Sequence, residues 1–140
     1  MKKSVFKTSV IVFIFTFLIN FVWESFHAVW FYTGISDYKA SAFVRLMSYA
    51  SSIDAIIITA IFLVGCLLFR GYWLPLKSRG VWFTVIAGVV VAIIIEAKAL
   101  YLNQWSYNEL MPTVFSVGIS PLVQLALTGL LVFYIVSKLK

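Results

Sequence analysis

Charge is scarce in this chain. Only 11% of its 140 residues are charged, where an ordinary soluble domain carries about 25%. Histidine and cysteine occur once each, as His27 and Cys66. A single histidine leaves little for a nucleophilic triad, and no serine stands in a G-x-S-x-G elbow. A single cysteine excludes an intrachain disulfide. Cys66 follows Gly65 in an apolar stretch and reads as a packed, inert thiol. No glycine-rich phosphate loop is present. Di-iron bundles carry two E-x-x-H motifs, and this chain has one, Glu24-Ser25-Phe26-His27. The expectation is therefore no metal and no cofactor.

What is present is hydrophobic. The chain is 63% apolar with a mean hydropathy of +1.03, as expected of an integral membrane protein with no separate soluble domain. Four apolar stretches can each span about 30 Å of hydrocarbon. They run over about 9–32, 42–69, 81–102 and 112–136. They are too long and too uniform for barrel strands, which are about ten residues and alternate. Lys2, Lys3 and Lys7 precede the first stretch as in a signal peptide, but no A-x-A-like site follows and Glu24 and His27 interrupt the run. We read it as a retained first helix.

The net charge of +6 does not point to nucleic acid, because the cations sit at segment ends. Lys2, Lys3, Lys7, Arg70, Lys77, Arg79, Lys138 and Lys140 fall on one side. Lys39, Arg45 and Lys98 fall on the other. The positive-inside rule then places both termini in the cytoplasm. Short loops, with Gly71, Pro75 and Gly80 punctuating the inner one, make neighbours antiparallel. The expected fold is an all-α integral membrane four-helix bundle running up-down-up-down, a multi-pass protein of a prokaryotic plasma membrane. Trp30, Tyr32, Trp73, Trp82, Trp105 and Tyr107 lie near the expected interfaces, as aromatic belts do.

Three carboxylates interrupt the spans: Glu24, Asp54 and Glu96. Each costs roughly 2.5–3.5 kcal/mol near the bilayer centre. With Asp37 and Glu109 in the outer loops, every acidic residue falls in the outer half, so an outward-facing polar pocket is the simplest shelter. Asn20, Glu24 and His27 are spaced i, i+4, i+7 and share a face, flanked by Trp23 and Trp30. Ser51 lies one turn before Asp54. Gly88, Ala92 and Glu96 repeat every four residues. Small residues at that spacing admit a close neighbour, which delivers Glu96 to the interior, and Asn103 continues that face. Arg45 or His27 is the bland partner for Glu96. Gly118, Ser120 and Pro121 fall inside the fourth stretch, which Pro112 opens. Pro121 is expected to kink it at mid-depth beside Gln124.

Two runs look familiar. One is Asn20-Phe21-Val22-Trp23-Glu24 (N-x-x-W-E). The other spans Trp105-Ser106-Tyr107, Met111-Pro112, Gly118, Ser120-Pro121 and Gln124 (W-x-Y-x-x-x-M-P-x-x-x-x-x-G-x-S-P-x-x-Q). Together they resemble a family of small four-helix prokaryotic membrane proteins with no assigned activity. The resemblance covers nearly the whole chain and singles out Trp23, Glu24, Trp105, Tyr107, Pro121 and Gln124. A looser similarity is to the lycopene cyclase domain, in which an acidic pair follows the proline. Here Leu122, Val123 and Gln124 stand in those places, and the acidic pair is missing.

Two readings follow. In one, the carboxylates are catalytic or ligand-binding, with Asn20, Trp23, His27, Asn103, Trp105, Tyr107, Pro121 and Gln124 around them. The ligand would be lipidic or isoprenoid. A carboxyl group that keeps its proton in an apolar pocket can serve as an acid, and aromatic faces can stabilise a cation. In the other, the chain is a small transporter or assembly partner, and the carboxylates pack helices or carry a proton. Four helices are few for a monomeric transporter, so that version predicts a homodimer. Apart from these, the lipid bilayer is the expected partner.

Overall fold

A computed structural model describes residues 2–74 and 76–139. Pro75 and Lys140, named above, lie outside the described residues. The chain is helical, with α1 over Lys2–Phe31, α2 over Ala40–Leu68, α3 over Ser78–Tyr101 and α4 over Ile119–Lys138. All four are long and apolar enough to cross a membrane. In lipid, a helix satisfies its own backbone groups, which is why such runs take this form. Serines and threonines within them do the same locally. Thr8, Ser9, Ser25, Ser51, Ser52, Thr84 and Thr128 each donate to the carbonyl four residues earlier.

Helix starts depart from the hydropathy limits. α1 begins at Lys2 and α3 at Ser78, because helices continue into their polar flanks where hydropathy windows end. The fourth start is a larger correction. Pro112 opens no helix. Residues 113–118 instead form a small hairpin, with Thr113 opposite Gly118 and Val114 opposite Val117. Phe115 and Ser116 make its turn at φ of 49° and 65°. The Ile119 N–H then donates to the Pro112 carbonyl at 2.9 Å. Pro121 is thus the third residue of α4. An amide there has no intrahelical acceptor anyway, so the proline initiates the helix and does not kink a span.

α1 packs chiefly on α2, and α3 on α4; α1 and α4 join the two pairs, while α2 and α3 touch little. The α3 stripe of Gly80, Thr84, Gly88, Ala92, Glu96 and Ala99 is buried. A Cβ on Gly88 would meet the Ala126 backbone nitrogen at 2.7 Å and its Cα at 2.9 Å. The small-residue face expected of α3 is therefore its contact with α4.

The end of the bundle holding the α2–α3 connection is packed with aromatic rings, beside a second cavity of about 720 Å³ that Phe69, Tyr72, Trp73, Lys77 and Arg79 line. Trp73, assigned by its position to an interfacial belt, is instead buried. Its indole lies against Gly65 of α2 and Gly80 of α3, and its N–H donates to the Phe62 carbonyl at 3.0 Å. The rings of Phe62, Phe69, Phe83 and Phe133 surround it at 5.2–6.2 Å. Trp30 and Trp82 remain exposed, as a lipid-facing belt requires.

Gly88→Ala should destabilise the protein by about 1–3 kcal/mol, since the obstacle is backbone and cannot rotate away. Thermal unfolding in detergent, compared with wild type, measures this. A Gly88 variant as stable as wild type would refute the close α3–α4 contact.

Candidate functional site

A cavity of about 660 Å³ lies at the other end of the bundle, with Glu24, Asp54 and Glu96 all on its wall. It gathers the C-terminal parts of α1 and α3 and the N-terminal parts of α2 and α4. Tyr32, Thr33, Ile35 and Tyr38 of one loop and residues 103–106 of another complete the lining.

The floor is built on Gln124, which is buried on α4. Its side-chain amide donates toward Asn20 Oδ1 at 3.1 Å, Asp54 Oδ2 at 2.9 Å and Glu24 Oε1. Three helices therefore meet at one nitrogen. An amide NH₂ carries two hydrogens, so three acceptors cannot each receive a full bond. Asn20 is fully buried and donates in turn to the Thr16 carbonyl at 3.1 Å. It supports the floor from behind and does not line the cavity.

Glu96 is held separately. The Tyr107 hydroxyl and the Trp105 indole N–H, the latter at 3.3 Å, both donate to its Oε2. Neither Arg45 nor His27 fills that role. Burial, and then the bond to Glu96, push the Tyr107 hydroxyl up to about 12. It therefore keeps its proton at neutral pH and remains a donor. Gly118 explains its place in the motif here. Its missing side chain admits the Tyr107 ring, which an added Cβ would meet at 3.1 Å, and Met111.

The roof is an aromatic layer pinned to the end of α1. Tyr32 bridges to Tyr107 through the backbone and stacks on its ring at 5.7 Å. The Thr33 N–H donates to the Ser106 carbonyl at 3.2 Å, and the Asn108 N–H to the Phe31 carbonyl at 2.8 Å. The Asn108 side chain donates to the Trp30 carbonyl at 2.7 Å. Burial, and then the Glu96 and Glu24 carboxylates, raise the Tyr32 hydroxyl. Tyr32 was visible in the sequence only as an interfacial aromatic, yet it lines the cavity.

Among the expected site residues, Glu24, Asp54, Glu96, Asn103, Trp105, Pro121 and Gln124 line the cavity. Tyr107 stands behind Glu96. His27 is buried behind Tyr32, with the rings 5.1 Å apart, and neither of its nitrogens has a partner among the described residues. The Trp23 indole N–H is likewise buried and unpartnered there. Ser51 is buried and bonded to the Met47 carbonyl. Leu46, Tyr49 and Ile53 do line the cavity; their signal, one apolar-aromatic face leading to Asp54, is indistinguishable from a lipid-facing one. No group of three metal-ligating side chains gathers among the described residues.

A double-mutant cycle of Tyr107→Phe and Glu96→Leu should give a coupling of about 1 kcal/mol, within the range of hydrogen bonds in membrane proteins. Chemical unfolding of the four proteins in mixed micelles reads it. Strict additivity would mean that Tyr107 does not hold Glu96.

Compared with known proteins, the chain matches no family model, no curated protein and no solved structure.

Proposed function

We propose that this is a multi-pass protein of a prokaryotic plasma membrane that binds or acts on a lipidic or isoprenoid molecule. One observation carries the reading: carboxyl groups from three helices line one cavity. Ligand sites are typically about 300–1,000 Å³, and this cavity falls within that range. Aromatic and aliphatic walls beside the carboxyl groups suit a molecule with a polar end and an apolar body.

The same reading runs the bundle up-down-up-down with both termini cytoplasmic. Its supports are the distribution of lysine and arginine and the way alternate helix ends contribute to the cavity wall. The cavity then opens toward the outer leaflet. The two runs resembling small four-helix prokaryotic membrane proteins fit this picture. Trp105, Tyr107, Gly118 and Gln124 of the longer run all belong to the floor or the roof.

A second reading has its own support. Gln124 ties α4 to Glu24 of α1 and Asp54 of α2, which is what packing residues of a small transporter or assembly partner would do. A transporter of this size would work as a homodimer.

Untargeted lipid mass spectrometry separates the two. Cells making wild type, Glu24→Gln, Glu96→Gln or no protein are compared at matched expression. The expected result is a lipid that changes with wild type and not with well-expressed Gln variants. Unchanged lipids together with poorly folding Gln variants would establish packing as the role of the carboxylates.

A further inference from the structure

We propose that the cavity selects an amphiphile whose head is a protonated amine. This rests on the lipid-pocket reading and names the chemistry of its ligand.

The argument starts from hydrogen-bond supply. Glu24 receives its bond at Oε1, Asp54 at Oδ2, and Glu96 receives both of its bonds at Oε2. The other oxygen of each carboxyl group has no donor among the described residues. These oxygens are also absent from the fully buried polar atoms that lack partners. They therefore retain access to the cavity that their residues line. Glu96 is the sharpest case, because the residue is only 4% exposed and still presents an unpaired oxygen.

Among the described residues, no lysine, arginine or histidine lines the cavity. Arg45 and Lys98, the cations nearest in sequence, are exposed. In their ionised form, the three acid groups spread over this one wall have more acceptor oxygens than donors, and no positive charge among the described residues lines the cavity with them. A phosphate or carboxylate head would add like charge, and a hydroxyl head would bring one donor. An ammonium head brings three donors and the missing charge. An alkylamine is charged at neutral pH, as lysine is. Tyr32, Tyr38, Tyr49 and Trp105 on the walls add faces that attract a cation.

The route for a tail is also present. α2 and α3 make few contacts with each other, and the cavity lies between Ile53 and Tyr49 on one side and Ile95 and Ala92 on the other. Tyr49 is 66% exposed and Ile53 is 36% exposed, so the wall reaches the outer surface of the bundle. A head seated among the carboxyl groups would leave its tail between α2 and α3, facing lipid.

The test is equilibrium binding to the purified chain in phosphatidylcholine nanodiscs, with empty discs as blank. Labelled dodecylamine, dodecanol, dodecanoate and butylamine are measured separately. Dodecylamine should bind saturably and at least about tenfold more tightly than the alcohol, the acid or the short amine. Glu96→Gln and Asp54→Asn should each weaken dodecylamine about tenfold, with dodecanol changed less than about threefold. Asp54→Asn keeps an oxygen for Gln124, and the wild-type ligand series stands even if a variant unfolds. Equal binding of dodecanol or dodecanoate would overturn the amine and leave the lipid pocket. Equal binding of butylamine would support the amine and overturn the lipidic reading. No saturable binding of any probe would overturn both.

Discussion

The Gln124 carboxamide is the polar knot of this bundle. It lies on α4 and reaches Asn20 and Glu24 of α1 and Asp54 of α2. An apolar residue there would leave two carboxyl groups and an amide without a common donor. The knot also cannot be complete, because two hydrogens serve three acceptors. The incompleteness faces the cavity. Much of the site follows from it: Glu24 and Asp54 are brought together by a donor that does not saturate them.

The two ends of the bundle solve opposite problems. At one end, Gly65 and Gly80 make room for the Trp73 indole, and aromatic rings pack around it between α2 and α3. At the other end the space between these helices stays open. The Gly88–Ala126 contact holds α3 hard against α4, and α1 packs on α2. The cleft between the two pairs is therefore free to widen on the side where neither close contact acts. The segment from Trp105 to Asn108 covers it from above, fastened to Trp30, Phe31 and Thr33. A site built in this way depends on chain segments far apart in sequence.

That dependence sets how much was readable beforehand. The existence of four spans followed from composition and run length, since lipid leaves few options. The Gly88–Ala92–Glu96 face was readable because small residues at a four-residue repeat have one geometric meaning in a helix. Asn20 and Glu24 were placed correctly on one face for the same reason. The start of α4 was not readable. Pro112 and Pro121 each suit a first helical turn, and the hairpin that decides between them uses positive φ at Phe115 and Ser116, residues that carry no turn signal. His27 shares the helical stripe but points behind Tyr32, and only the fold of the 105–108 segment reveals that. Trp73 looked interfacial by position because nothing local records the two glycines that accommodate it.

Magnitudes bear on what the carboxyl groups are for. A carboxylate near mid-membrane costs roughly 2.5–3.5 kcal/mol, while a hydrogen bond between side chains there contributes about 0.6 kcal/mol on average. Glu24 and Asp54 receive one bond each from a shared donor, and Glu96 receives two. Bonds of that strength do not offset the insertion cost, and an apolar side chain would hold α1, α2 and α4 together at least as well. Packing alone is therefore a poor reason to keep three acids here. A neutral carboxyl group lowers the cost but then carries a proton that needs an acceptor, and the nearest acceptors are the other acids and the amide oxygens. Either a proton is shared between the acids or a cation completes them, and both make the cavity wall a place where chemistry responds to what enters.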